Sequence, residues 1–373
     1  MCEPIPEWWI DVSAALTQRA GIARYVRGLT EALVQMHPAE RGFAVGTYSS
    51  SWNDASARPF GVPHVGITLS ARQWRLRVAA GHLMRQPILP GLPANARFLA
   101  TDLTAFPHAL PDHLAVTVHD LTAITHPQTH SLVARIFARF MVSQLARHQC
   151  PIIAVSRRTA AELIRIGGIS PARITVIHPG VAAPFLTPPT HDEVNAVLKR
   201  HDIQRPFAIA VGTLEPRKNL RRLITAFQHV ARPGQSLIMV GARGWGSDAS
   251  IIDEYRGPGS VRAIGHVPDT DLACLYHACA VHVLPSLSEG FGSPAIEAHA
   301  CGAPVICSRE CGVIELLPQT TTIIDPRNID AMATMLRTIL STPARARTLP
   351  PARTYAATAS EHIHLLHQQM ITS

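Results

Sequence analysis

Short apolar runs that stop at a glycine, proline or polar residue, each leading into a stretch of helical periodicity, recur along this chain of 373 residues. Residues 8–12 are the first run. Past a small polar loop ending at Gly21, the side chains Ile22, Tyr25, Val26, Leu29, Ala32 and Leu33 fall on one helical face. Residues 115–118, stopped by His119 and Asp120, lead into a helix predicted from about 132 to 148, and residues 152–155 with Ser156 into one around 159–166. A proline-rich joint follows, read as a connection over 176–192. The pattern then restarts with strands at 207–211, 237–240, 261–264, 281–284, 304–307 and 322–324, and helices near 219–231, 269–277 and 294–301. Strands alternating with helices at this spacing form parallel sheets covered on both faces. Two such series predict an α/β chain of two Rossmann-like, doubly wound domains, 1–185 and 203–350, with the last predicted helix at 354–371.

Composition narrows the class. A hydrophobic share of 47% with 16% charged residues excludes a disordered tail or a fibrous repeat. No apolar stretch reaches the roughly 18 residues of a transmembrane helix, and residues 1–12 carry Glu3, Glu7 and Asp11 without the basic start of a secretory signal. The seven cysteines lack Cys-x-x-Cys spacing, so reduced, buried thiols in a cytoplasmic protein are expected. His362, His364 and His367 do not share one helical face and are read as a solvated surface rather than a metal site. The net charge is +8, with Lys199 and Lys218 the only lysines among 34 basic residues. That surplus suits a polyanionic partner, and it equally follows from arginine-rich codon usage.

In open parallel sheets ligands bind beyond the carboxyl ends of the strands. Beyond strand 207–211 stands Gly212-Thr-Leu-Glu-Pro-Arg217-Lys218-Asn219, two adjacent cations before a helix start, suited to an anion such as a diphosphate. Beyond strand 281–284 come Glu289-Gly290-Phe291-Gly292-Ser293-Pro294 and then Glu297. The glycines allow close backbone approach, Ser293 is the expected N-cap, and Glu297 is expected in the first turn.

The segment 285–308, with Glu289 and Glu297 as paired glutamates, resembles the signature of the family 4 glycosyltransferases. Residues 212–219 resemble that family's Arg-Lys-Asn segment, residues 21–25 its Gly-Ile-Gly-Arg-Tyr loop (with Ala23 in place of a glycine), and His119-Asp120-Leu121 its His-Asp segment. The resemblance implies the GT-B fold, two Rossmann-like domains facing across a cleft, the last helix crossing back to the first domain. It also implies retention of configuration and no metal or other cofactor, the donor nucleotide-sugar being a substrate. Under it, Arg217 and Lys218 hold the donor diphosphate, Glu297 the ribose and Glu289 the donor sugar. Gly212, Gly290, Phe291, Gly292 and Ser293 line the donor, Gly21 passes near the diphosphate, and His119 reaches the transferred sugar. Asp120 is either the orienting partner of His119 or an acceptor contact, and Arg24 is a further acceptor-side candidate. The implied reaction is hexosyl transfer, first of mannose from GDP-mannose, to a saccharide or lipid-linked acceptor in polysaccharide or O-antigen assembly; the alternative is an inactive nucleotide-sugar-binding subunit.

Arg72, Trp74, Arg75, Leu76, Arg77, Val78, Leu83, Met84 and Arg85 form a basic, apolar stretch. It reads either as a helix on an anionic membrane surface, consistent with a protein peripheral to the inner face of the cytoplasmic membrane, or as an amphipathic helix packed by arginine stems. No aromatic-basic module for nucleic acid appears. The glycines at 241, 244 and 246 lack the Gly-x-Gly-x-x-Gly order of a nicotinamide-dependent oxidoreductase.

Overall fold

The structure is a computed structural model. It describes residues 8–17, 21–36, 43–48, 64–84, 97–105, 114–244, 252–253, 255–342 and 348–372. Residues 18–20 of the first loop, Arg85, and the glycine cluster from Trp245 onward lie outside these. The chain divides into two compact units, Met1–Gly180 with Arg353–Ser373, and Val181–Ala352.

The first unit is built on strands β1 (Trp8–Asp11), β2 (Phe43–Tyr48), β3 (His64–Ile67), β4 (Arg97–Ala100), β5 (Leu114–Val118), β6 (Ile152–Ala154) and β7 (Ile174–Val176). They form one parallel sheet in the order β3-β2-β1-β4-β5-β6-β7. Helices α1 (Ser13–Thr17), α2 (Gly21–Met36), α3 (Ala71–Met84), α4 (Thr122–Thr125), α5 (Leu132–Arg147) and α6 (Arg157–Gly167) connect them. α2 buries Tyr25, Val26, Leu29 and Leu33 along one stripe, each large side chain giving about 1.5–3 kcal/mol. α3 and α5 pack on one core with the sheet, where Trp74, Val78, Met141, Val142 and Leu145 meet Phe98, Val116 and Ile152. Ser156 caps α6 through the Thr159 amide, and Gly168 ends it in the left-handed region.

The second unit carries α7 (His191–Arg200), a helix not foreseen, starting at the end of the expected connection. Thr190 and Glu193 form its capping box, Asp192 and Glu193 complement its first turn, and Lys199 and Arg200 its last. Strands β8 (Phe207–Val211), β9 (Ser236–Val240), β10 (Ser260–Gly265), β11 (Val281–Leu284), β12 (Val305–Ser308) and β13 (Thr322–Ile324) make a parallel sheet ordered β10-β9-β8-β11-β12-β13. Helices α8 (Leu220–Gln228), α9 (Asp269–Ala278), α10 (Ser293–Ala300) and α11 (Ile329–Leu340) accompany it. In this sheet the strand order reverses between β8 and β11, and in the first between β1 and β4, so each sheet has a switch point of the kind where ligands bind.

The last described helix, α12 (Tyr355–Thr372), returns to the first unit and packs on α2. Where it arrives, a Cβ on Gly180 would stand 2.3 Å from the Tyr355 amide nitrogen, so only glycine fits. Arg353 Nε and Thr358 Oγ1 both donate to the His178 carbonyl at 3.0 Å. His362, expected on a solvated face, is fully buried. Its Nδ1 donates to the Thr358 carbonyl at 2.8 Å, its Nε2 accepts from Tyr25 at 3.1 Å, and burial holds its pKa down at about 4, so it stays neutral. The six described cysteines are free and buried. No described helix is long and apolar enough to cross a membrane.

Candidate functional site

At the switch point of the second sheet, Gly212 follows β8 with a φ of +142°. A Cβ there would lie 2.9 Å from Lys218 Cε, so the glycine makes room for the lysine stem. Pro216–Lys218 form a single 3-10 turn. Asn219 then takes the left-handed conformation and donates through Nδ2 to the carbonyls of Pro285 at 3.0 Å and Pro326 at 2.7 Å. That stitches the cation turn to the loop leaving β11. A cleft between these strand ends is lined by Gly212, Leu214, Lys218, Pro285 and Ser286.

The two cations do not stand alone. Glu289, buried, accepts from Arg217 Nη1 at 2.5 Å through Oε2 and from Lys218 Nζ at 2.5 Å through Oε1. Ser286 Oγ also donates to Oε1, at 2.8 Å. Arg217 is further held by Glu215, at 3.0 Å to Nε and 2.7 Å to Nη2, and by the Ser288 carbonyl at 3.0 Å. Burial pushes the Glu289 pKa up, but Arg217, Lys218 and the donated hydrogen bonds outweigh it and hold the carboxyl at about 2. The group is therefore two cations balanced by two carboxylates, not the bare cationic pair expected from the sequence. Four described hydrogen bonds commit the Arg217 guanidinium to protein acceptors, whereas those at Lys218 use one of its three N–H groups. Behind the lysine, burial, together with the Lys218 charge, lowers the His282 pKa to about 3 and keeps it neutral.

The loop carrying Glu289, Gly290 and Phe291 is clamped along its edge. The Glu289 amide donates to the Glu310 carbonyl at 3.0 Å, and the amides of Gly312 and Val313 donate to the carbonyls of Glu289 and Phe291. The N-cap of α10 is Gly292, not Ser293: Gly292 has a φ of +106°, while Ser293 is the first helical residue and Pro294 follows it. Glu297 is buried but sits beyond the first turn, so dipole complementarity does not explain it.

In the first unit, His119 follows β5 and Gly21 and Arg24 lie in the first turn of α2. His119 Nε2 donates to the Thr101 carbonyl at 2.9 Å, and its ring meets Tyr25 edge-on at 4.8 Å. Asp120 does not orient His119. Its carboxylate accepts from the Thr122 amide and hydroxyl at 2.9 and 2.6 Å, closing the turn that leads into α4. Thr101 in turn meets Asp11, buried at the end of β1. It accepts from the Ser13 amide at 3.1 Å and from the Ser13 hydroxyl, and the Thr101 hydroxyl donates to its carbonyl at 2.8 Å. Burial outweighs these bonds and raises its pKa to about 6.

Glu215, Ser286 and Asn219 were not read from the sequence as part of the site, nor were Asp11 and Thr101. Glu215 and Asn219 had a signal, standing in the same segment as Arg217 and Lys218; the others reach their partners only through the fold. Among the described residues, no group of three His, Cys, Asp or Glu side chains gathers as metal ligands.

Comparison with known proteins agrees with this architecture. Residues 196–354 match the family described as "Glycosyl transferases group 1", and residues 19–183 match "Glycosyltransferase Family 4". The chain is 31% identical over 233 residues to the O-antigen chain mannosyltransferase B of Escherichia coli, spanning 61% of each. The chain thus spans less than two thirds of that relative's length. Among solved structures it is similar to the sucrose-phosphate synthase (tll1590) of Thermosynechococcus elongatus, with a TM-score of 0.72, 22% identity and coverage of 99% and 100% of the two chains. It is also similar to Anabaena Alr3699/HepE in complex with UDP-glucose, with a TM-score of 0.65, 17% identity and 98% coverage of both. Two Rossmann-like parallel sheets, each with a reversal of strand order, and family matches that together run from residue 19 to 354 identify the fold as GT-B, and the chain belongs to the family 4 glycosyltransferases.

Proposed function

We propose that the chain is a retaining, metal-independent glycosyltransferase that moves a hexose from a nucleotide-sugar to a saccharide acceptor. Mannose from GDP-mannose is the first donor, by similarity to the O-antigen mannosyltransferase. The acceptor is a lipid-linked saccharide in polysaccharide assembly, which makes the protein peripheral to the inner face of the cytoplasmic membrane. The observation that carries the reading is Glu289 held between Arg217 and Lys218 at the switch point of the second sheet.

In this reading Lys218, with N–H groups to spare, binds the donor diphosphate and offsets the charge that develops on the leaving group, the task a divalent cation performs in other transferases. Arg217 holds the diphosphate with Lys218, ion pairs to Glu289 and Glu215 fixing the guanidinium in place. Glu289, held ionised, lies against the donor sugar and stabilises positive charge near the anomeric carbon. Glu297 accepts from the ribose hydroxyls, and backbone amides of Gly290, Phe291, Gly292 and Ser293 line sugar or phosphate, with Gly212 opening the floor. In the first unit His119 serves the transferred sugar, Gly21 passes the diphosphate, and Arg24 and Asp120 remain on the acceptor side.

Thermal melts with GDP-mannose, UDP-glucose and the free nucleoside diphosphates test the donor, because a ligand of the native state raises the melting temperature by mass action. GDP-mannose is expected to give the largest rise. A larger rise with UDP-glucose reassigns the donor, and no rise with any of them overturns the transferase reading. With the donor that binds, Lys218→Ala is expected to lower kcat by about 100- to 1000-fold. Activity within about tenfold of wild type would refute the phosphate role. Binding without transfer to any saccharide acceptor would favour an inactive subunit.

A further inference from the structure

The helical faces that α3 and α5 turn outward carry side chains that neither the core nor the candidate site uses. On α3, Arg72, Arg75, Leu76 and Leu83 share one face, while Trp74, Val78 and His82 point the other way and are buried. Trp74 Nε1 donates to the Thr104 carbonyl at 3.0 Å, which anchors the helix. The basic stretch read from the sequence is therefore split: Trp74 and Val78 belong to the core and Arg77 is half-buried. On α5, Leu132, Val133, Ile136 and Arg139 share the outward face, and Ser143 and Arg147 continue it. The helices are neighbours, for the Arg75 guanidinium lies 6.0 Å over the Phe137 ring and His82 meets Phe140 edge-on at 6.0 Å. Leu76, Leu83, Leu132, Val133 and Ile136 are between 59% and 75% exposed, far more than aliphatic side chains on an ordinary surface helix need to be.

Charge selects the occupant. Residues 71–84 and 132–147 contain six arginines and no aspartate or glutamate. Aliphatic side chains interleaved with arginines on one plane match the boundary of an anionic bilayer, where apolar groups enter the acyl region and guanidinium groups pair with lipid phosphates. A second copy docking through the same patch would set arginine against arginine. We propose that the joint outer face of α3 and α5 is a docking surface for the anionic face of a lipid bilayer, the helices lying in its plane. The biological setting rests on the lipid-linked acceptor proposed above, but the surface is testable without donor, acceptor or activity.

The test is co-sedimentation of the whole chain with phosphatidylcholine vesicles, with and without phosphatidylglycerol. Binding is expected only with the anionic lipid, and it should weaken as salt is raised. Each arginine is expected to contribute about fivefold to partitioning, so a variant combining Arg72→Glu, Arg75→Glu and Arg139→Glu should lose at least about a hundredfold. A second variant, combining Leu76→Ser, Leu83→Ser and Ile136→Ser, should lose at least about tenfold at unchanged charge. Both sets lie on exposed positions, and melting temperatures close to wild type verify that the fold is kept. Equal binding to both vesicle types, or wild-type binding by both variants, overturns the proposal. So does sedimentation velocity showing that the variants dissolve a dimer while vesicle binding persists.

Discussion

Asp11, at the end of β1, and Glu289, in the loop beyond β11, are both buried carboxylates, and their neighbours drive them in opposite directions. Glu289 has two cations within hydrogen-bonding distance and stays ionised. Asp11 has hydroxyls and an amide, too little to repay its burial, so its pKa rises from an ordinary 3.8 to about 6. A raised carboxyl pKa favours the protonated native state, so this part of the stability is present at low pH and lost as pH climbs from about 4 through 6. Asp11→Asn, which keeps an acceptor for Ser13 but cannot ionise, should therefore gain up to about 3 kcal/mol over wild type at pH 8 and little at pH 4. Thermal melts of both proteins across that range check it, and a constant difference would show that Asp11 does not titrate as proposed. The sequence displayed the residues of the site but not these pairings. Glu289 lies 72 positions from Arg217 and Thr101 lies 90 from Asp11, distances over which only the completed sheet sets who meets whom.

Elements were legible where burial writes them plainly. β5, β8, β9 and β11 are buried strands that read as nearly continuous apolar runs, interrupted only by Thr117, Ser236 and His282. β2 and β3, with a glycine inside each, and β4, four residues led by Arg97, carry weaker signals and were not foreseen. α7 was hidden by the prolines before it, although its capping box was present in the sequence. The last helix was foreseen, but not that its middle would be buried: His362 is polar by type and neutral by placement. Its docking depends on how closely the backbone at Gly180 approaches Thr354 and Tyr355. Gly180→Ala forces a backbone shift rather than a side-chain adjustment and should cost about 3 kcal/mol. A melting temperature equal to wild type would show that α12 does not need this close approach.

At the level of the whole molecule, the two units differ in how they are drawn from the chain. The second is continuous, Val181–Ala352, with a core around Leu223, Phe227, Met239 and Leu336. The first is split, needing Met1–Gly180 and Arg353–Ser373 together. Expressed alone, residues 181–352 should melt cooperatively, monitored by circular dichroism. Residues 1–180 alone should not, because Tyr25 and the α2 face would lose the cover of α12; supplying residues 353–373 should restore a cooperative transition. Cooperative melting of 1–180 by itself would mean that α12 is dispensable there. The same split has a consequence during synthesis. A ribosome releases the second unit complete while the first still waits for its closing helix, so the half of the protein made earliest is finished last. Until then the α2 face of a nascent chain lacks the cover that α12 gives it.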